Sequence, residues 1–285
     1  MARLLITGGS SYLGQHLVPL AALSHQTSYT YFTHDPLRTS ASHKLGISHK
    51  LDICDGTAVH ELVKRLKPEI IIHTAGSNRT ADMVNVITNG TRHIVEAAEI
   101  AGARLIHIST DVVFNGQDAP YAEDASPTPI HAYGRVKAAA EMIAGECSDH
   151  AIVRTSLIYS LQIMDRGTAW VVESLRNNQP VTLFSDQRRN PVWADTLSLA
   201  CLELASTDYQ GNLHVAGEQA LTRAEFGLRM LNWWGIEDRP SLAIGPSNHT
   251  IWPADCTFDL SRAGAILNTP LLGVDAVLSQ YQMSP

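Results

Sequence analysis

The sequence predicts a doubly wound parallel α/β sheet followed by a smaller α/β lobe at its C-terminal end. Three observations predict it. Short apolar runs alternate with amphipathic stretches through the first 155 residues. The first run opens directly into a Gly/Ser-rich turn, and the alternation breaks down after residue 155. Strands alternating with helices of this length need right-handed βαβ crossovers, and hence a parallel sheet.

The elements follow in order. Arg3 to Thr7, Tyr29 to Thr33, Ile70 to His73, Leu105 to Ser109 and Ile152 to Thr155 read as buried strands. Leu13 to Ser24, Val59 to Leu66, Asn89 to Ala101 and Val136 to Cys147 read as the helices between them. The third helix places Ile94, Val95, Ala97, Ala98 and Ala101 on one side, the 3.6-residue pattern of a helix covering a sheet. Beyond residue 155, helices over Thr168 to Asn177, Asp195 to Ala205 and Arg223 to Trp234 are separated by short strands and Pro-bearing loops, with Asp195 read as an N-cap. Two units are expected: residues 1–155, and a lobe over 156–285 interleaved with the sheet's last strands.

Composition narrows the class without choosing a chemistry. The chain has 285 residues, 45% of them hydrophobic and 17% charged, which fits a packed globular protein and not a disordered one. With 21 basic and 28 acidic side chains the balance is −7, against a nucleic-acid footprint; the densest basic pair is Arg188-Arg189. No apolar run reaches the roughly 18 residues of a membrane helix. The first apolar run meets Thr7-Gly8-Gly9 too soon for a signal peptide. Cys54, Cys147, Cys201 and Cys256 form no CxxC and read as reduced, small apolar residues of a cytoplasmic protein. The 13 His include no HxxxH or HExxH, so no metal site is expected.

The first strand runs into Thr7-Gly8-Gly9-Ser10-Ser11-Tyr12-Leu13-Gly14 and a helix follows. Free backbone N–H groups and the positive end of the helix dipole make such a turn an anion site. Glycines there allow a tight turn and close approach of a pyrophosphate; any tight βα connection favours Gly and Ser, but on the first strand of an alternating pattern the turn reads as a Rossmann-type NAD(P) site. Ser11 stands where a middle glycine is expected; its small side chain leaves the site in place and can itself donate to phosphate. At the end of the second strand come His34, Asp35 and Arg38. An acid there accepts the ribose 2′-OH of NAD, whereas an Arg accommodates the 2′-phosphate of NADP. Asp35 precedes a proline and can equally open a turn, so His34 and Arg38 tip the expectation to NADP, with NAD possible. Asp52 and Ile53 are placed at the adenine, although Asp52 also reads as a loop carboxylate.

Tyr133-Gly134-Arg135-Val136-Lys137 sets a phenol and an amine four apart at a helix start, on one face. Chance predicts about 0.14 such pairs in a chain of this composition. A phenol with pKa near 10 is a poor acid–base at neutral pH, and a neighbouring ammonium favours its ionised form. Upstream, Ile106 to Gly116 forms a buried strand ending in Ser109, Thr110 and Asp111. Ligands of open α/β sheets bind outside the carboxyl ends of the strands, where a hydroxyl can hold a carbonyl oxygen while Tyr133 protonates it. Thr110 is the expected catalytic hydroxyl.

With these residues in view, the sequence resembles the extended short-chain dehydrogenase/reductase superfamily, and within it the dTDP-4-dehydrorhamnose reductase branch. The matching segments are Thr7 to Gly14, His73-Thr74-Ala75-Gly76, Asn89-Gly90-Thr91, Ser109 to Gly116, Tyr133 to Lys137 and Val153 to Ser156. Further on, Phe184 to Gln187, Asn190-Pro191, Asp195, His214 to Gly217 and Asp259 to Arg262 match the substrate half. The resemblance implies NAD(P)H-dependent reduction of a 4-keto-6-deoxy sugar nucleotide, with Thr110, Tyr133 and Lys137 catalytic. It implies Thr74, Ala75 and Gly76 beneath the cofactor, and Asp111, Val112, Arg154, Arg188 and Asn190 at the substrate. Val112 replaces a usual Tyr and Leu157 a usual Trp, both near the expected sugar pocket.

Two other readings stand beside the reductase. One is an epimerase or dehydratase that retains NAD, for which Asp111 and His131 are the candidate extra acid–base groups. The other is a non-catalytic NADP-binding subunit like the regulatory subunit of methionine adenosyltransferase. The partner expected is a small nucleotide-linked sugar, with no nucleic acid and no membrane; a homodimer is possible by family habit.

Overall fold

The structure, a computed structural model, describes residues 1–38, 45–76, 82–248 and 252–282. The first half builds β1 (Arg3–Thr7), α1 (Tyr12–Ala21), β2 (Gln26–Tyr31), β3 (Ile47–Lys50), α2 (Gly56–Leu66), β4 (Ile70–His73), α3 (Met83–Ala101), β5 (Arg104–Thr110), α4 (Ala132–Ala144) and β6 (His150–Thr155). The second half adds β7 (Ile158–Tyr159), α5 (Arg166–Arg176), β8 (Val181–Phe184), β9 (Arg188–Arg189), β10 (Val192–Trp193), α6 (Ala194–Leu204) and β11 (Gly211–His214). It ends with β12 (Leu221–Thr222), α7 (Arg223–Trp233), β13 (Leu242–Gly245), α8 (Ser261–Ile266) and α9 (Val274–Gln282).

Seven strands form one parallel sheet in the order β11-β6-β5-β4-β1-β2-β3. The chain starts in the middle, winds one way through β3, and returns past β1 to wind the other way. This is the doubly wound Rossmann-type architecture that the alternation predicts. Residue parity decides which layer each side chain joins. Ile6, Ile72, Ile106, Val153 and Leu213 pack with Leu17 of α1 and Leu197 of α6. Their neighbours Leu5, Ile71, Leu105 and Ile152 pack with Val63, Ile94 and Ala144 of α2, α3 and α4. Both faces are covered, so the strands read as continuous apolar runs.

Three expectations are corrected. The second strand is Gln26–Tyr31, so it ends two residues before Thr33. β3 was not foreseen. Asp195 lies inside the first turn of α6, whose N-cap is Trp193, and its carboxylate is drawn 2.8 Å from His16 Nδ1 on α1.

Two small clusters hold the rest of the second half. Tyr159, Phe226, Met230 and Val277 make one, and Val172, Leu175, Leu183 and Leu231 the other. Trp233 and Trp234 pack against the first of these, and the Trp233 indole donates to the Leu161 carbonyl at 3.1 Å. No helix among the described residues is long and apolar enough to cross a membrane.

Candidate active site

The carboxyl edge of the sheet assembles the site. β1 runs into Gly8, whose φ of +76° suits glycine, and a Cβ there would come within 2.8 Å of the Ala75 backbone. The loop after β4 therefore lies directly beneath the first turn. Ser11 explains its own departure from the glycine pattern. Its hydroxyl oxygen accepts the Gly14 N–H at 3.0 Å as the N-cap of α1, and it also meets Thr74 Oγ1 at 3.1 Å. Thr74 Oγ1 donates to the Thr7 and Gly8 carbonyls, so the Ser11 proton goes to Thr74. The serine shapes the loop and is not a free phosphate donor. The backbone N–H groups of Tyr12 and Leu13, at the first turn of α1, have no partner among the described residues.

The other cofactor candidates line the same edge. His34 and Arg38 are exposed beyond β2. Asp35 accepts from the Tyr29 hydroxyl at 3.1 Å and the Leu37 N–H at 3.1 Å, so its carboxylate closes a turn. Asp52 is exposed after β3 and accepts the Cys54 N–H, the loop role already considered for it. Ile53 is buried and fills the space over Gly90. Gly76 follows Ala75 with φ near 151°.

Beside this edge opens a cavity of about 600 Å³. Thr110, Asp111, Val112, Tyr133 and Ser156 are among the residues that line it. Gly134 brings them together: a Cβ on it would sit 2.1 Å from the Val112 carbonyl, so α4 can press onto the turn after β5 only with glycine there. Asp111 is the hub. It accepts Thr110 Oγ1 on Oδ1 at 3.1 Å and Ser156 Oγ on Oδ2 at 2.6 Å, and Arg189 Nε lies 3.4 Å from Oδ2. His131 caps α4, its Nδ1 accepting the Tyr133 N–H at 3.1 Å, and its ring stacks on Trp252 at 3.8 Å between centroids.

The Tyr133 phenol and the Lys137 amine are not directly coupled here. Burial, then the Asp111 carboxylate, pushes the phenol up to about 12. Its hydroxyl makes no hydrogen bond among the described residues. Lys137 Nζ instead donates to the Ile108 carbonyl at 2.6 Å and lies 3.3 Å from His107 Nε2. Burial brings that amine down to about 8, with Glu141 acting the other way. The Tyr–Lys spacing predicts a phenol pKa drawn down towards neutrality; here burial and Asp111 shift it the other way.

Three of the expected substrate residues lie elsewhere. Arg154 is 1% exposed; Nε and Nη2 grip the Glu141 carboxylate at 2.8–3.2 Å, and Nη1 donates to the Glu123 carbonyl. It belongs to the core because an acid on α4 claims it. Asn190 is also buried, its amide donating to the Gly217 carbonyl and accepting the Phe258 N–H, both at 2.9 Å. Arg188 is half-exposed, 3.8 Å from Asp255, and not in the cavity wall.

Sequence reasoning did not pick out Arg223, Asp165 or Trp170 as site residues; they line the cavity together with Phe184, from the segment matched to the substrate half. Arg223 is the first residue of α7, after an N-cap that forms a capping box with Glu225. That motif announced a helix start but not its direction. The Arg223 guanidinium makes no ion pair or hydrogen bond among the described residues. Burial, then the neighbouring Arg189 charge, lowers its pKa, while Asp165 and Asp111 oppose the shift.

The chain was compared with known proteins. The RmlD substrate binding domain matches residues 2–256. A dTDP-4-dehydrorhamnose reductase of Streptomyces griseus is 29% identical over 98% of this chain and 92% of its own length. The methionine adenosyltransferase 2 subunit beta of Xenopus tropicalis is 26% identical over 69% of this chain and 63% of its own. Among solved structures, a hypothetical dTDP-4-dehydrorhamnose reductase from Sulfolobus tokodaii matches with a TM-score of 0.80 and 28% identity, over 96% of this chain and 97% of that one.

Proposed function

The chain belongs to the RmlD substrate-binding domain family, of the extended short-chain dehydrogenase/reductase type, and we propose that it reduces a keto sugar nucleotide with NADPH as its preferred reductant. One observation carries this reading: the Thr110, Asp111 and Tyr133 cluster opens into a cavity whose wall also holds Arg223, a guanidinium with no ion pair among the described residues. A cation that is largely desolvated beside a second cation is suited to a polyanion, and a diphosphate supplies one.

The residues present fit a dinucleotide. The unpartnered N–H groups of Tyr12 and Leu13 sit at a helix N-terminus, where a pyrophosphate is stabilised. Ser10 and Gly14 complete the loop, Thr74 to Gly76 floor it, and His34, Arg38, Asp52 and Ile53 flank the adenosine end. A bound nicotinamide would supply the hydride for the substrate carbon.

What the protein supplies is the proton and the orientation. Tyr133, held neutral, donates its proton to the oxygen that becomes the alcohol. This suits the reductive direction, because a neutral phenol is poised as an acid. Thr110 has one hydroxyl proton and gives it to Asp111, so it offers a lone pair to the cleft and can hold the newly formed hydroxyl. Asp111 keeps Ser156 and Arg189 fixed around it. Lys137 places a positive charge behind the reacting centre. His131 is committed to capping α4 and stacking on Trp252, which speaks against its service as the extra acid–base group of an epimerase.

The test is NADPH oxidation by the purified protein with a panel of 4-keto sugar nucleotides, with Tyr133→Phe as control. Turnover is expected, with Tyr133→Phe slower by roughly 10²- to 10⁴-fold. Tight NADP binding without turnover on any of them would instead support a non-catalytic subunit. A wild-type rate in Tyr133→Phe would overturn the chemistry.

A further inference from the structure

His73 and His107 are register partners on β4 and β5, each 1% exposed, on the face that α3 and α4 cover. Leu105, two residues earlier on the same face, shows that this layer accepts aliphatic side chains. The reaction above uses neither histidine. They nevertheless form a continuous row leading to the catalytic lysine. Thr7 Oγ1 lies 2.6 Å from His73 Nδ1, and His73 Nε2 lies 3.2 Å from Thr91 Oγ1. The two imidazoles are 5.3 Å apart, and His107 Nε2 is 3.3 Å from Lys137 Nζ.

The donors settle the tautomer of His107. An ammonium has only N–H groups to offer, so Nε2 must be the acceptor and the ring proton sits on Nδ1. Nδ1 is buried and has no partner among the described residues. An unsatisfied buried donor is a cost that a leucine would not carry, and what the ring offers against it is the acceptor at Nε2.

We infer that His107 is a positioning residue: with the Ile108 carbonyl it fixes two of the Lys137 N–H groups, leaving the third free on the helix face shared with Tyr133. A neutral acceptor is the right chemistry for this. A carboxylate in its place would form a buried ion pair and hold the amine permanently charged. The acid nearest on the helix, Glu141, is already occupied by Ser109 at 2.5 Å and by Arg154. Around Lys137 the titratable groups are thus His107 from β5, His73 from β4 and Glu141 from its own helix, while Asp111 faces Tyr133. Burial and the Lys137 charge keep both histidines neutral, His73 down at about 3.

The activity readout of this inference rests on the proposed function, but its spectroscopic readout does not. The chain has five lysines, so ¹⁵N-lysine labelling with Lys137→Met as reference assigns the Lys137 Nζ signal. His107→Leu removes the acceptor; His107→Gln restores an acceptor oxygen near the position of Nε2. Losing an acceptor that favours the charged amine lowers its midpoint. In His107→Leu we expect a midpoint lower by about half a unit or more and faster Nζ proton exchange. We also expect kcat to fall about tenfold at neutral pH, its alkaline limb moving to lower pH, with the KM for NADPH unchanged. His107→Gln should restore most of each effect. If His107→Leu fails to fold, His107→Asn, whose shorter amide stops at the Nδ1 position, takes its place. An unchanged Lys137 midpoint and exchange rate in a folded variant, or equal losses in the Gln and Leu variants, would overturn the inference. A wild-type protein that reduces no keto sugar nucleotide defeats the proposed function, and the Nζ titration still decides the role of His107.

Discussion

The Tyr12 hydroxyl, on the first turn of α1 beside the glycine-rich loop, donates a 2.7 Å hydrogen bond to the Ile163 carbonyl. Ile163 precedes Asp165, which caps α5 and lines the cavity, so the bond ties the glycine-rich loop to the wall of the cavity. Burial and Asp165 push this phenol's pKa up, and it remains a donor throughout the working pH range. Tyr12→Phe keeps the ring and loses only the bond, worth about 1 kcal/mol. If the bond holds the wall in place, the KM for the sugar nucleotide rises up to about fivefold while the Kd for NADPH is unchanged. Steady-state kinetics and fluorescence titration separate the two; parallel loss of both affinities would count against the tie.

Arg154 and Glu141 make a different prediction. Their pair is sealed, with the guanidinium also 5.1 Å over the Phe114 ring. Glu141→Ala would strand a buried cation, at a cost of about 3–5 kcal/mol in urea unfolding. Were Arg154 a substrate residue, Arg154→Met would raise KM and leave the unfolding midpoint alone. The structure predicts the reverse: a lower midpoint, with KM preserved in the fraction that remains folded.

Lys137 sets function against stability. Its pKa falls from 10.5 to about 8 on folding, so the folded state binds fewer protons than the unfolded one between those values. The penalty is complete below pH 8, at about 3 kcal/mol, and fades as pH rises towards 10.5. The Ile108 and His107 hydrogen bonds each return about 1 kcal/mol of that. Lys137→Met is therefore expected to abolish turnover yet unfold later at pH 7, by about 1 kcal/mol, the advantage shrinking through the alkaline range. Urea unfolding across a pH series measures it, and a Met variant less stable than wild type at pH 7 would refute the balance.

The parts of the fold that were legible are those written in local periodicity. β1 with its glycine turn, β4, β5 and the Tyr133–Lys137 helix could all be read because neighbouring residues specify them. β3 is four residues, Ile-Ser-His-Lys, three of them polar, at the sheet's edge; only its pairing with β2 makes it a strand. β11 begins Gly-Asn, and its place is decided by register with β6, Gly211 opposite Ala151, sixty residues away in sequence. The site divides in the same way. Spacing put Tyr133 and Lys137 on one helix face, but whether the amine meets the phenol or the Ile108 carbonyl depends on how α4 seats on β5. An arginine is visible in a sequence, but its orientation is not. Glu141 draws Arg154 inward, while Arg223, placed by a capping box, opens on the cleft.

The proposed preference for NADP turns on Asp35 and Arg38. An acid that reads a ribose 2′-OH must have an oxygen to offer, yet the Asp35 carboxylate is engaged by Tyr29 and by its own turn. Tyr29 is a dependable donor, since burial and then Asp35 push its phenol up to about 12. Arg38 is exposed at the end of that turn, its N–H bonded to the Asp35 carbonyl at 3.3 Å, and its side chain makes no ion pair among the described residues. A charge-assisted contact to a 2′-phosphate is worth about 1.5–3 kcal/mol. Arg38→Ala should therefore weaken NADPH binding at least tenfold, leave NADH binding unchanged, and flatten the salt dependence of the NADPH Kd. Asp35→Asn keeps the turn's acceptor oxygen and should preserve the preference. Equal weakening of both nucleotides by Arg38→Ala, or a switch to NADH in Asp35→Asn, would show that the 2′ position is read by other residues.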